Sequence, residues 1–209
     1  MEFAYFDGGQ RLLGELAVPD KAKFGEGPFP GVVVVHEVWG LTDQIKTRIQ
    51  QLADLGYVAL AADIYGDRHL PKDMQEGMKI IGEHLGDRLR LRVRAGAAVT
   101  ALRDHAACDG RIAATGYCFG GSVVLELARG NNPDVLGVVS FHGGLGGAGP
   151  VEPSGIKPKI LVLHGAEDPL VKHDELVNFL IEMRDAKADC QTICYTGVVH
   201  AFTNPAATG

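Results

Sequence analysis

Cys118 stands inside the string Gly116-Tyr117-Cys118-Phe119-Gly120, between the apolar run Ile112-Ala113-Ala114 and the helix-like segment Gly121-Ser122-Val123-Val124-Leu125-Glu126-Leu127. A nucleophile with glycine two residues to either side is the pattern of a sharp strand-to-helix turn that leaves one side chain exposed at the tip of a sheet. Side chains at 116 and 120 would collide with the neighbouring strand and helix, and the turn itself needs strained backbone angles. The helix that starts there sets free N–H groups and its positive dipole end beside the sulfur, which favours a thiolate and an oxyanion. The bland reading of Cys118 is a small buried hydrophobe. Against it stand Asp168 and His200, which follow the cysteine in the order nucleophile, acid, histidine. In such a set the histidine takes the thiol proton or activates water, the acid holds its tautomer, and the sulfur attacks an acyl carbon.

These residues act together only if strand ends bring them together. Residues 2–6 and 11–18 read as an opening hairpin around Asp7-Gly8-Gly9-Gln10. A Gly/Pro-rich loop, Lys21 to Pro30, leads into Gly31-Val32-Val33-Val34-Val35-His36, a β-branched run suited to a central strand buried on both faces. Thr42 or Asp43 is placed to cap a helix with apolar Ile45, Ile49, Leu52 and Leu55, and Gly56 is its stop. Tyr57 to Ala62 is the next strand, and residues 72–85 read as a helix through Met74, Met78, Ile81 and Leu85. Arg88 to Arg94 alternates with the period of a strand. Two rows, Leu85/Leu89/Val93/Ala97 and Leu91/Ala95/Val99/Leu102, nevertheless follow helical steps, and a crossover helix is needed before the elbow strand. That segment is therefore expected to be helix, with its arginines on a solvated face. Val135–His142, Lys159–His164 and Cys190–Tyr195 are further strands, 143–149 a glycine-rich loop, and Asp174–Met183 an amphipathic helix.

Alternating strands and helices give an α/β fold with a mostly parallel sheet. The length, 209 residues with 46% hydrophobic content, suits one domain over 1–209. Ligands in such folds sit at the carboxyl ends of the strands, and here those ends carry His36 with Glu37, Asp63, His164 with Asp168, and His200. A net charge of −6 speaks against nucleic acid as a partner. The four cysteines lack disulfide or zinc spacing, and His36, His142 and His164 lack tight ligand spacing, so neither metal nor cofactor is expected. No signal-peptide pattern and no membrane-length apolar run is visible, which points to a cytoplasmic protein without a membrane partner.

Taken with His36-Glu37-Val38-Trp39-Gly40-Leu41, Ala62-Asp63-Ile64-Tyr65-Gly66, His164-Gly165-Ala166-Glu167-Asp168-Pro169 and His200-Ala201-Phe202, the elbow string resembles the dienelactone hydrolase family, a cysteine branch of the α/β-hydrolases. The resemblance runs from about Gly31 to Pro205. It implies the α/β-hydrolase fold and a triad of Cys118, His200 and Asp168. It also implies that Glu37 contacts the thiol and helps form the thiolate when substrate binds, and that backbone N–H groups of Val38 and Phe119 make the oxyanion hole. Two departures matter. The segment Pro71 to Leu85 holds no arginine or tyrosine, and Asn204 stands where the family has a carboxylate-binding arginine, so a dianionic dienelactone is not the expected substrate. Few residues follow His200, where the family closes with another helix. The C-terminal helix is thus expected to be missing: either the chain is cut short, or one sheet face is less covered, which would expose apolar surface and favour a homo-oligomer.

The leading expectation is hydrolysis of small carboxylic esters or lactones through an acyl-cysteine, with Trp39, Tyr65, Phe141, His142 and loop 143–149 as the substrate pocket. The alternative from another class is a non-catalytic α/β-hydrolase-fold protein that binds a small ligand or senses oxidants through Cys118. A peptidase or thioesterase would need the same machinery, and only the pocket tells them apart.

Overall fold

The computed structural model describes residues 1–147, 149 and 155–207. Eight strands, β1 (Glu2–Asp7), β2 (Gln10–Ala17), β3 (Phe29–Val35), β4 (Val58–Ala62), β5 (Cys108–Tyr117), β6 (Val135–Phe141), β7 (Lys159–Gly165) and β8 (Cys190–Tyr195), form one sheet. Their order is β1-β2-β4-β3-β5-β6-β7-β8. β2 alone runs against its neighbours β1 and β4; every pairing from β4 to β8 is parallel. This is the mostly parallel α/β-hydrolase sheet expected from the sequence.

The helices are α1 (Lys21–Phe24), α2 (Asp43–Ala53), α3 (Met74–Gly86), α4 (Arg88–Arg103), α5 (Phe119–Arg129) and α6 (His173–Asp185). Alternation along β3 separates two cores. Val32 and Val34 pack with Ile45 and Ile49 of α2, whereas Val33 and Val35 join the larger core with Leu91, Val99, Val123 and Phe179 of α4, α5 and α6. The strand is apolar throughout because each face is covered by a helix.

Several expectations shift. The Lys21–Pro30 loop contains the single-turn α1, capped by the Asp20 side chain on the Ala22 N–H. Thr42 occupies the N-cap position of α2 but makes no side-chain capping bond, and Leu55 lies beyond the helix, exposed. Arg88 to Arg94 is helical, but only the Leu91/Ala95/Val99/Leu102 row is buried, while Leu89 and Val93 face out.

The arginines of α4 are not a solvated face. Arg90 and Arg94 bond Asp7 at 2.8 Å each, and Arg94 also donates to the Ile64 carbonyl (2.9 Å) and to Gln10. Burial alone would raise the Asp7 carboxyl, but these two guanidinium groups outweigh it and hold it below the usual carboxylate range. Arg88 and Arg92 reach the fully buried Glu126 of α5, which also meets Arg129 at 3.1 Å. Arg129 in turn bonds Glu182 of α6 and the carbonyls of Leu145 and Gly146. Among the described residues no helix follows β8, and one sheet face is open beside α2. Val139, Phe141 and Leu161 are half-buried there, and Tyr57 and Leu55 border a cavity of about 430 Å³.

Arg129→Ala strips Glu126 and Glu182 of their shared partner, and such broken buried pairs cost about 3–5 kcal/mol. Arg88→Ala leaves Glu126 with two arginines and is expected to cost under about 1 kcal/mol. Urea unfolding of the two variants tests this order; equal losses would contradict it.

Candidate active site

The turn at Cys118 is a contact between backbones. A Cβ at Gly116 would lie 2.0 Å from the Gly120 carbonyl oxygen, and one at Gly120 would lie 2.3 Å from that of Val35, so neither position admits a side chain. Cys118 itself adopts φ 53°, ψ −116° at the N-cap of α5. Its N–H is shared between the Phe141 carbonyl (3.0 Å) and His142 Nδ1 (3.1 Å). His142 and Ala201 also have positive φ. Three strained non-glycine residues thus gather around one sulfur, as is common where function fixes the backbone.

Asp168 and His200 meet at the ends of β7 and β8. His200 Nδ1 and Asp168 Oδ2 are 2.8 Å apart, and Asp168 Oδ1 accepts the N–H groups of Leu170 (2.9 Å) and Val171 (3.3 Å) in the Asp-Pro turn. The carboxylate is an acceptor only, so His200 carries its proton on Nδ1, leaving a lone pair on Nε2. Nε2 is buried and has no partner among the described residues.

Glu37 lies just past β3 and is buried. Its Oε2 accepts from Asn204 Nδ2 at 3.2 Å, and its Oε1 has no partner. Burial raises the Glu37 pKa, partly offset by Asn204 and by the nearby His200 and Arg48. Burial also pushes the Cys118 thiol up to about 11, and the carboxylates of Glu37 and Asp168 add to this. The backbone N–H groups of Phe119 and Val38 act in the opposite sense, favouring the anionic sulfur. The resting thiol is protonated at neutral pH.

Cys118, His200, Glu37 and Val38 share one cleft of about 740 Å³, with Trp39 on its rim. The other expected pocket residues lie elsewhere. Tyr65 is packed against His36, His84 and Phe119, its hydroxyl donating to the Val38 carbonyl at 3.0 Å. Phe141 stacks on Tyr117 and borders the cavity beside α2. His142 is fully buried behind His200, with ring centroids 4.9 Å apart, and its Nε2 donates to Thr203 Oγ1 at 2.8 Å. Described residues 144–146 of the 143–149 loop are held by Ser122, Arg129 and Glu175, away from the cleft.

Two further strand-end groups serve the scaffold. Asp63 accepts the N–H groups of Leu13, Gly66 and Arg68, and His36, fully buried, bridges the Glu37 carbonyl and the Ile64 N–H. Burial lowers the pKa of His36 and of His142 to about 4, so both are neutral. The sequence reading missed Met74, Met78 and Leu170 as cleft walls. It also missed the C-terminal loop, in which Thr203 and Asn204 tie His200 to His142 and Glu37. Two methionines one helical turn apart were the only available signal, and that spacing equally describes a core face.

A family model described as the dienelactone hydrolase family matches residues 13–209. The chain belongs to the dienelactone hydrolase family. It is accordingly a hydrolase acting on ester bonds. Among its relatives, a Yersinia pestis protein named for carboxymethylenebutenolidase is 29% identical over 209 residues, a match covering 93% of this chain and 75% of that one. The solved structure named m3DLH is 40% identical with a TM-score of 0.91, covering 99% of this chain and 85% of that one. A dienelactone hydrolase-like promiscuous phosphotriesterase from metagenomic libraries is 41% identical with a TM-score of 0.90, covering 98% and 84%. No helix among the described residues is long and apolar enough to cross a membrane.

Two pH dependences follow from the site's electrostatics. Alkylation of Cys118 by iodoacetamide should be slow at pH 7 and rise toward pH 11, and Glu37→Gln, which removes a neighbouring anion, should move the profile to lower pH. An unmoved profile would remove Glu37 from the thiol's environment. His36 and His142 titrate at 6.5 when unfolded and at about 4 when folded. Their contribution is complete above pH 6.5 and lost as pH falls toward 4, as much as about 3 kcal/mol each, with the raised Glu37 acting in the opposite sense. The urea midpoint should therefore drop between pH 7 and pH 4.5; a flat midpoint would contradict the buried neutral state.

Proposed function

We propose that the protein hydrolyses small carboxylic esters or lactones through an acyl-cysteine intermediate. The observation that carries this reading is His200 Nε2, buried and unpartnered on the cleft it shares with Cys118, while Nδ1 is bonded to Asp168. In the proposed sequence the thiol proton passes by way of Glu37 Oε1 to His200 Nε2. The freed sulfur bonds to the acyl carbon, and the carbonyl oxygen gathers charge beside the Val38 and Phe119 N–H groups. Collapse breaks the ester C–O bond, and His200 hands its proton to the leaving oxygen. A water then gives a proton to His200 and attacks the thioester; the acid departs, and the proton returns to sulfur. Asp168 holds the His200 tautomer and offsets the imidazolium charge throughout. The neutral resting thiol fits a nucleophile that ionises only once substrate occupies the cleft.

A relative at 41% identity carries phosphotriesterase in its name, and the same nucleophile and N–H pair suit displacement at phosphorus. An uncharged phosphotriester is therefore the second substrate to test.

Rapid mixing with para-nitrophenyl acetate is expected to give a burst equal to the enzyme concentration in the wild type. Cys118→Ala and His200→Ala should show neither burst nor turnover. Ester turnover that survives either substitution would refute the acyl-cysteine route and favour a ligand-binding or redox-sensing cysteine.

A further inference from the structure

The cleft is lopsided in charge. Among the described residues that line it there is no lysine or arginine. Its acidic members are Glu37, buried next to the thiol, and Asp43, which is exposed and bonded to Lys46 at 2.9 Å. Arg48, the cation that acts on Glu37, is committed elsewhere. It donates to the Thr203 carbonyl and to Gln51, lies over the Tyr117 ring, and borders the cavity beside α2. From the cleft side Glu37 is met by the neutral amide of Asn204, with the Gln44 amide and the His200 imidazole beside it.

Much of the remaining lining is apolar and exposed. Trp39 (36% exposed), Met74 (50%), Met78 (52%) and Leu170 (64%) all border this one cleft. Such a concentration of exposed apolar side chains marks a contact surface, and methionine adapts its shape to what it contacts. The placement of the two methionines is fixed by Gly77 between them. A Cβ there would lie 2.6 Å from Val38 Cγ2, so α3 sits directly against the Val38 loop only because residue 77 is glycine. The helix is buried at Gly77 and Ile81, and Met74 and Met78, one turn apart and exposed, border the cleft.

We propose that the cleft selects uncharged esters that lay an apolar group against Met74 and Met78, and rejects esters bearing a carboxylate. This deepens the acyl-cysteine reading and rests on it. A substrate carboxylate would meet the Glu37 anion with no cation on the wall to receive it, and like-charge opposition of this kind discriminates by repulsion. An aliphatic or aryl group instead replaces water on the methionine wall.

The test compares para-nitrophenyl hexanoate with mono-para-nitrophenyl adipate, which share a leaving group and chain length and differ by a terminal methyl against a carboxylate. In the wild type kcat/KM is expected to favour the hexanoate by about a hundredfold or more. Ionic strength of about 1 M, where the Debye length falls to about 3 Å, should shrink that ratio. Met78→Arg, which sets a cation on the wall, should cut it at least about tenfold by raising turnover of the adipate. Comparable rates on the two esters in the wild type, or a preference for the adipate, would overturn the proposal without any variant being made. Para-nitrophenyl acetate in the same assay separates the two levels. Acetate turnover that needs Cys118, without hexanoate turnover, refutes the methionine wall alone, whereas acetate turnover that survives Cys118→Ala refutes the acyl-cysteine chemistry and this inference with it.

Discussion

The close approach of three backbone segments at the elbow is the constraint on which the rest of the molecule depends. Gly116, Gly120 and the end of β3 at Val35 lie so near one another that any side chain at either glycine would overlap a carbonyl oxygen. That contact lets β5 turn into α5 within one residue, and Cys118 takes up the strain as a positive φ. It also brings the start of α5 against the loop after β3. The N–H groups of Phe119, from the helix, and of Val38, from the loop, thereby come to the same sulfur. N–H groups from two chain segments meet at one sulfur here because two glycines let the segments touch.

Around the elbow, the chain keeps the resting site protonated where it must be and neutral where it can be. His36 and His142 are buried, and burial outweighs the nearby Asp63 and Asp168 carboxylates, so both stay uncharged. This lets His142 accept the Cys118 N–H and donate to Thr203 at the same time, so one imidazole connects the Cys118 backbone to the loop bearing His200. The thiol is neutral because burial and two carboxylates disfavour its anion, although two N–H groups are aimed at stabilising it. The N–H groups are placed for an anion that the protonated thiol does not carry, which is the arrangement that favours a transition state over a ground state.

Charge is handled differently where α4, α5 and α6 pack together. There Glu126 is completely buried but shared by three arginines, and Arg129 extends the network to Glu182 and to the carbonyls of the glycine-rich loop. The network clamps α4, α5, α6 and that loop to one another. A cluster this demanding of desolvation specifies how the helices pack more than it strengthens them. The arginines that the helix reading placed on a solvated face are therefore scaffold, and the cleft holds no lysine or arginine among the described residues that line it.

By itself the sequence determined the parts whose signals are local. The β-branched run of β3, the glycine-spaced cysteine, the Asp-Pro turn and the chain order of Cys118, Asp168 and His200 are short-range patterns with a steric or hydrogen-bonding cause, and together they carried the fold and the candidate triad. Only the tertiary structure decided what depends on which face of an element meets which neighbour. Tyr65, Phe141 and His142 follow strand ends, as pocket residues do, yet their side chains turn behind the cleft, because the direction of a residue just past a strand is set by the loop that follows. Met74 and Met78 read as core at helical spacing and lie over the cleft instead, because Gly77 seats α3 on the Val38 loop. Asn204 is far from Glu37 in the chain and meets it only where the last loop folds back across the sheet edge. Periodicity records that a residue has a buried or an exposed side; which partner waits on that side is a long-range fact that no local pattern encodes.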